Sequence, residues 1–237
     1  FILIKKEQPD FVFSSVMYLN IRLILAAKLA GVKCIVRNDN TLRFVGADTR
    51  FFIKKTYPMA HKIIAQQEEM QEEIIKECGV SSRKCIVLHN PIDTETIDKK
   101  LMSSDNPYPL NDNINNVWVG RFSPDKGQDI LVKALGELHR SGFKAHVWFV
   151  GRYDESTDFF KHINHDIAEY GIEDYVHFVG YDNNPYRWIK YCDCFVMPSR
   201  LEGLPNALVE AQHIGRPCVA TECIPMIRRI IKNGVNG

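Results

Sequence analysis

The chain has 237 residues, which at about 100–200 residues per domain is room for one large domain or two ordinary ones. Hydrophobic residues make up 45% and charged ones 25%, and 30 Lys and Arg against 29 Asp and Glu leave a formal charge of +1. That balance excludes a disordered chain and argues against a dedicated nucleic-acid binder, which needs a basic surplus to displace counterions.

The opening FILIKKEQPD has neither an initiator Met nor a signal-peptide pattern, so Phe1 reads as an internal start. Pro9-Asp10 then precedes a strand at 11–15, FVFSS, and residues 19–30 carry Ile21, Ile24, Leu25 and Leu29 at helical spacing up to Gly31. This is the most apolar helical stretch, but Lys28 interrupts it and it falls short of the ~20 apolar residues of a membrane span. CIVR at 34–37 is a strand, 48–57 a helix ending before Pro58, and KIIAQ at 62–66 a strand. A charged helix at 67–78 and the strand CIVLH at 85–89, stopped by Asn90-Pro91, complete the first half. Residues 94–114, with little apolar content and prolines at 107 and 109, read as a linker with a short helix around 94–101.

Alternation resumes with strands at 116–120, 145–151, 176–180, 192–199 and 217–221, separated by helices at 127–141, 157–170, 185–191 and 205–214, with a last helix at 224–232. Strands apolar on both faces and alternating with helices imply parallel sheets covered on both sides. The expected fold class is therefore α/β, as two Rossmann-like units at 1–93 and 115–237 facing a cleft, with 94–114 between them. The seven cysteines, at 34, 78, 85, 192, 194, 218 and 223, form no CxxC pair. They read as reduced structural thiols, Cys192 and Cys194 pointing into one core, which suits the cytoplasm.

Open α/β sheets bind ligands beyond the carboxyl ends of their strands, so the residues just after each strand carry the functional information. After the 116–120 strand come Gly120, Arg121, Lys126 and Gly127: two cations beside glycines that let a ligand approach, an arrangement suited to a diphosphate. Solvated loop charges fit the same residues. Gly151-Arg152 and Gly180-Tyr181 follow the next two strands. After the 192–199 strand, Arg200, Glu202, Gly203, Leu204, Pro205 and Asn206 lead into a helix holding Glu210. Pro205 suits the first helical position, and the unpaired N–H groups of a helix start form an anion cradle. Glu210 sits among Ala207, Leu208, Val209 and Ala211, where a carboxylate is costly without partners; paired hydroxyls of a ribose or hexose are suitable ones.

In order and spacing, VGRFSPDKGQDILVKAL, VWFVG, VHFVG, DCFVMPSRLEGLPNALVEAQHIGRPCVATE and IIKNGVNG resemble the nucleotide-sugar domain of retaining glycosyltransferases of family 4, with the GT-B fold. Glu202 and Glu210 match that family's E-x7-E motif. PDFVFSS, AAKLAGVK, CIVRND, KIIAQ and CIVLHNPID are similar to the back half of its acceptor-side domain, so that this domain is expected to be incomplete and the chain to be a window on a longer protein.

The resemblance implies a nucleoside-diphosphate sugar donor, most simply a UDP-sugar, and a glycan or lipid-linked acceptor of bacterial surface polysaccharide. It gives Arg121 and Lys126 the diphosphate, Glu210 the ribose, and Glu202 the transferred sugar. Gly120 and the backbone N–H groups of Gly203, Leu204 and Asn206 would face sugar and phosphate, with Gly180 and Tyr181 beside the base. Arg121, Lys126 and Glu202 are the catalytic candidates, and Arg37, Asn38, Asp39 and Arg43 the acceptor-side ones. No DxD pair is present, so neither metal nor other cofactor is expected.

Two departures stand out: Met226 and Arg228 where the family has small or acidic residues, and no histidine after the CIVR strand. His61 and His89 lie near strand ends but suit structural roles. A sugar-nucleotide epimerase, a phosphorylase or a non-catalytic nucleotide-sugar binder fits the same motifs. A basic and aromatic run, Arg43, Arg50, Phe51, Phe52, Lys54, Lys55 and Tyr57, suggests peripheral contact with the inner face of a membrane; an ordinary amphipathic helix fits it equally.

Overall fold

The computed structural model describes residues 1–42, 45–110 and 113–237. The chain divides into two compact units, Phe1–Pro91 and Ile92–Gly237. In the first, β1 (Phe11–Ser14), β2 (Lys33–Arg37), β3 (Lys62–Ala65) and β4 (Cys85–Val87) form a parallel sheet in chain order, with helices α1 (Ile2–Glu7), α2 (Met17–Ala30), α3 (Ala47–Thr56) and α4 (Glu68–Cys78). The β-branched residues of β2 and β3 alternate between the two faces, sending Val36 and Ile63 into a core with Ile24, Ile53, Tyr57, Met70 and Ile74. Helix α1 has no counterpart in the sequence reading. Its one buried residue is Ile4, too little to show as periodicity.

The second unit begins earlier than composition indicated. Helix α5 (Thr94–Met102) is capped by the Asp93 carboxylate, which accepts from the Thr96 N–H at 3.0 Å. It packs against α8 (Tyr186–Tyr191) and α9 (Asn206–His213). Tyr108 is buried against Trp148 and Trp188, its hydroxyl donating to the Trp188 carbonyl at 2.6 Å. The stretch 94–110 is therefore part of the second unit rather than a linker. Two anchors, Ile97 and Tyr108, do what an average over a polar stretch conceals.

The remaining elements are β5 (Ile114–Val119), α6 (Gln128–Arg140), β6 (Ala145–Val150), α7 (Asp158–Tyr170), β7 (Val176–Gly180), β8 (Cys194–Met197), β9 (Cys218–Ala220) and α10 (Met226–Ile230). The strands are parallel in the order β7-β6-β5-β8-β9. Consecutive residues of β5 serve opposite layers: Val117 joins Ile189, Phe195 and Leu208, and Trp118 joins Val132, Leu135, Phe149 and Ile163. The chain starts in the middle of this sheet, works out to β7, then returns to the other side of β5. The reversal leaves a crevice between the carboxyl ends of β5 and β8, the switch point where open sheets take their ligands. All seven cysteines are free, and Cys192 precedes β8 as the residue closing α8.

Candidate functional site

Both strands at the switch point end in loops that approach each other at backbone distance. Gly127 lies at φ 70, and a Cβ there would sit 2.0 Å from the Pro198 carbonyl oxygen; only glycine allows the α6 entry to lie against the end of β8. At Gly151 a Cβ would fall 1.7 Å from the Gly120 carbonyl oxygen, so the ends of β5 and β6 close in the same way. The N–H groups of Arg200 and Leu201 both donate to the Asp125 carbonyl, at 2.8 and 3.2 Å. Arg200 also grips the Asp129 carboxylate with two nitrogens at 2.7 and 2.6 Å. Burial opposes ionisation of Asp129, but this fork holds its carboxyl below the usual range.

Inside this frame Lys126 and Glu202, 76 residues apart, meet: Nζ donates to Oε1 at 2.8 Å. Ser199 Oγ donates to the same oxygen at 2.7 Å. Glu202 is 8% exposed and Ser199 fully enclosed, so the carboxylate is buried but paired with one cation and one hydroxyl, as a buried charge must be. Thr221 continues the network, its hydroxyl donating to the Ser199 carbonyl. Sequence reasoning named Lys126 and Glu202 for separate ligand groups; the structure brings them together. Ser199 was missed, its only signal being its place directly after a strand.

Arg121 points outward, 76% exposed, with Asp125 at 3.7 Å. It borders a cavity of about 290 Å³ with Gly120, Gly151, Arg152, Tyr181 and Pro185. There the Arg152 guanidinium lies 4.8 Å from the centre of the Tyr181 ring, a cation–π contact that gives Arg152 a place the sequence left unassigned. Behind Tyr181, Asp182 accepts from the Asn184 N–H, Trp188 Nε1 and Arg187. Burial works against its ionisation, yet these donors keep its carboxyl below the ordinary range. Glu210, on α9, is half-buried, and desolvation raises its carboxyl pKa.

Two expectations change. Helix α9 starts at Asn206 with Pro205 as its N-cap, and the Asn206 N–H, assigned to a ligand, donates to the Leu204 carbonyl at 2.9 Å; the proline turn folds back on itself. Gly203 and Leu204 are half-buried in the turn after Glu202, Leu204 packing against the core. Met226, where the family pattern has a small or acidic residue, is a core residue, and Arg228 pairs with Glu222.

In the first unit, Asn38 is 0% exposed. Its N–H donates to the Ile64 carbonyl, its amide to the Asn40 carbonyl, and its Oδ1 accepts from the Tyr57 hydroxyl at 2.7 Å. It braces the end of β2 and is unavailable to an acceptor. Arg37 donates to the Asn90 side chain, Asp39 is exposed, and Arg43 lies outside the described residues. On α3, Arg50 and Lys54 are both tied to Glu77 and Tyr57 is buried. Phe51, Phe52 and Lys55 are what remains of the basic and aromatic face.

Two parallel-sheet units of Rossmann type, one with Lys126 paired to the buried Glu202 at its switch point, are the parts from which a GT-B fold is built. The sequence model described as "Glycosyl transferases group 1" matches residues 114–237, more than half of the chain, and that described as "Glycosyltransferase Family 4" matches 2–96. The chain belongs to the group 1 glycosyl transferases. It is 29% identical over 174 residues to N-acetylgalactosamine-N,N'-diacetylbacillosaminyl-diphospho-undecaprenol 4-alpha-N-acetylgalactosaminyltransferase of Campylobacter jejuni, covering 73% of this chain and 44% of that protein. It is 26% identical to UDP-Gal:alpha-D-GlcNAc-diphosphoundecaprenol alpha-1,3-galactosyltransferase of Escherichia coli, covering 99% and 63%. The chain thus spans roughly half to two thirds of the length of these relatives. Among solved structures, Anabaena Alr3699/HepE in complex with UDP and glucose superposes with a TM-score of 0.82 at 20% identity, covering 100% of this chain and 65% of that one. No described helix is long and apolar enough to cross a membrane.

Proposed function

We propose that the chain is the donor-binding part and a portion of the acceptor-side part of a retaining, metal-independent glycosyltransferase. It moves a sugar from a nucleoside-diphosphate sugar, a UDP-sugar in the simplest reading, to a lipid-linked glycan or growing polysaccharide. The observation that carries this reading is the meeting of Lys126, Glu202 and Ser199 where the loops after β5 and β8 come together, with Arg121 on the cavity beside them. The bond from the sugar's anomeric carbon to the diphosphate breaks with negative charge growing on the leaving oxygens. In this reading Arg121 and Lys126 meet the developing charge, Lys126 as the more enclosed cation and Arg121 as the solvent-facing one, and preorganised cations stabilise such charge more than water does. Glu202 is placed to meet sugar hydroxyls while holding Lys126 in position. Glu210 is suited to the ribose, and the Arg152–Tyr181 pair borders the cavity available to the base.

Relatives named for transfer onto diphosphoundecaprenol-linked sugars support a lipid-linked acceptor. Phe51, Phe52 and Lys55 are then the candidates for peripheral contact with the membrane that carries it, and the free thiols fit a reducing cytoplasm. The decisive measurement is a screen of UDP-, GDP- and ADP-sugars for binding and turnover with and without a chelator, followed by proton NMR of the product's anomeric linkage. Arg121→Ala is expected to lower turnover by 10²–10³-fold, the usual loss for one transition-state donor. Full activity in that variant, or abolition by chelator, rejects the assignment.

A further inference from the structure

At the border of the hydrophobic stripe of α7, four side chains that bind metals well lie along one side of the helix, His162, His165 and Glu169 exposed and Asp166 buried. His162, His165, Asp166 and Glu169 follow the i, i+3, i+4, i+7 spacing that stacks neighbours along a helix. His165, Asp166 and Glu169 each offer a ligand atom, and these atoms lie within 4.8 Å of one another. His162 Nε2 is 3.5 Å from Asp166 Oδ2, and His165 Nδ1 is 3.9 Å from Glu169 Oε2. A tetrahedral zinc ion with bonds of ~2.0–2.1 Å holds its donors about 3.4 Å apart. The first of these edges is already that length, and the second needs only a small rotation of two exposed side chains.

A second observation points the same way. Asp166 is 4% exposed, and its Oδ2 is buried without a hydrogen-bond partner. The cation next to it, Lys133 on α6, stands off at 3.7 Å, beyond the ~2.7–2.9 Å of a charge-assisted hydrogen bond. A desolvated carboxylate in that condition is costly, and metal coordination is one of the few ways to satisfy it. Imidazoles with carboxylates suit zinc, nickel and copper rather than magnesium or calcium.

We propose that His165, Asp166 and Glu169 form a binding site for a divalent transition-metal ion of the zinc class, with His162, 3.5 Å from Asp166 Oδ2, at its edge and Lys133 as the nearby cation that the metal displaces. The site lies on the middle and last turns of α7, whereas the donor-binding residues follow β5 and β8. It is therefore not part of the transfer chemistry and does not depend on that assignment.

Isothermal titration of the untagged chain with zinc chloride tests it. We expect one zinc per chain, with affinity at least about tenfold weaker in His165→Ala, Glu169→Ala and Asp166→Asn, since even the loss of a group that merely orients a ligand costs about 10–100-fold. Lys133→Met, which removes the competing ammonium, should bind zinc more tightly. His146→Ala should match the wild type, since His146 and His177 form a separate pair on the sheet. Circular dichroism melts establish that each variant is folded; His165 and Glu169 are exposed, so their removal spares the core. Wild-type protein that takes up no zinc, or a folded His165→Ala/Glu169→Ala double variant that binds it as well as the wild type, overturns the proposal.

Discussion

Lys126 shows how much of a single residue's role depends on what lies opposite it. Among the described residues its ammonium is the one cation paired with the buried Glu202 carboxylate, so Lys126→Ala should leave that charge with the Ser199 hydroxyl as its remaining side-chain partner there. We expect a loss of about 2 kcal/mol, the scale of a hydrogen bond to a charged group, read from urea unfolding. Adding Glu202→Gln should recover much of it, because the stranded charge is then gone. Glu210 behaves oppositely. Its folded pKa is raised by burial, so the native state binds the proton more readily than the unfolded state. The ligand-free chain should therefore gain stability as the pH falls through that folded pKa towards the ordinary carboxylate range, and lose it as the pH rises. Glu210→Gln should raise the melting midpoint at neutral pH while weakening UDP binding, a combination that calorimetry with and without UDP can separate. Position after a strand singled out Arg121, Lys126, Glu202 and Glu210 in the sequence, and the resemblance supplied the roles expected of them. Ser199 and the burial of Asn38 were not, because both depend on contacts between segments far apart in the chain.

At the scale of elements, hydrophobic patterning located every described strand and all the longer described helices to within a few residues. It found the α6 and α7 helices well, where Leu131, Leu135 and Ile163, Ile167 repeat along the buried face. It failed at α1, and it treated α5 as a possible piece of linker, because one buried side chain per helix leaves no period to read. The order of strands was also out of reach, since no local pattern says that β8 lies beside β5. The loops that the strands end in are more demanding than the strands. Gly127→Ala places a methyl against the Pro198 carbonyl and a non-glycine residue at φ 70. A destabilisation of at least about 2 kcal/mol is expected from the backbone alone, together with loss of UDP binding as the α6 entry moves away from β8. A variant with wild-type unfolding and UDP affinity would show that this approach is not needed.

For the whole molecule, each unit keeps its own core, and α5 and Tyr108 belong with the second. A fragment of residues 92–237 should therefore unfold cooperatively and retain UDP binding. A fragment from residue 115 should be destabilised, because it lacks Ile97 and Tyr108; thermal melts of the two settle whether the boundary lies at Pro91. The division into two α/β units was legible because composition falls off between them, though the exact place was not. The parallel sheet has one more consequence. Asn116 of β5 pairs with Cys194 of β8, and the neighbouring Asn115 N–H donates to an Asp193 carboxylate 78 residues further on. During synthesis β5, β6 and β7 can assemble as each leaves the ribosome, but the crevice has only one wall until β8 follows. Lys126 is made long before Glu202 exists to hold it, so the nascent chain can complete this pair only after β8 has been made, a contact of long sequence separation of the kind that forms slowly.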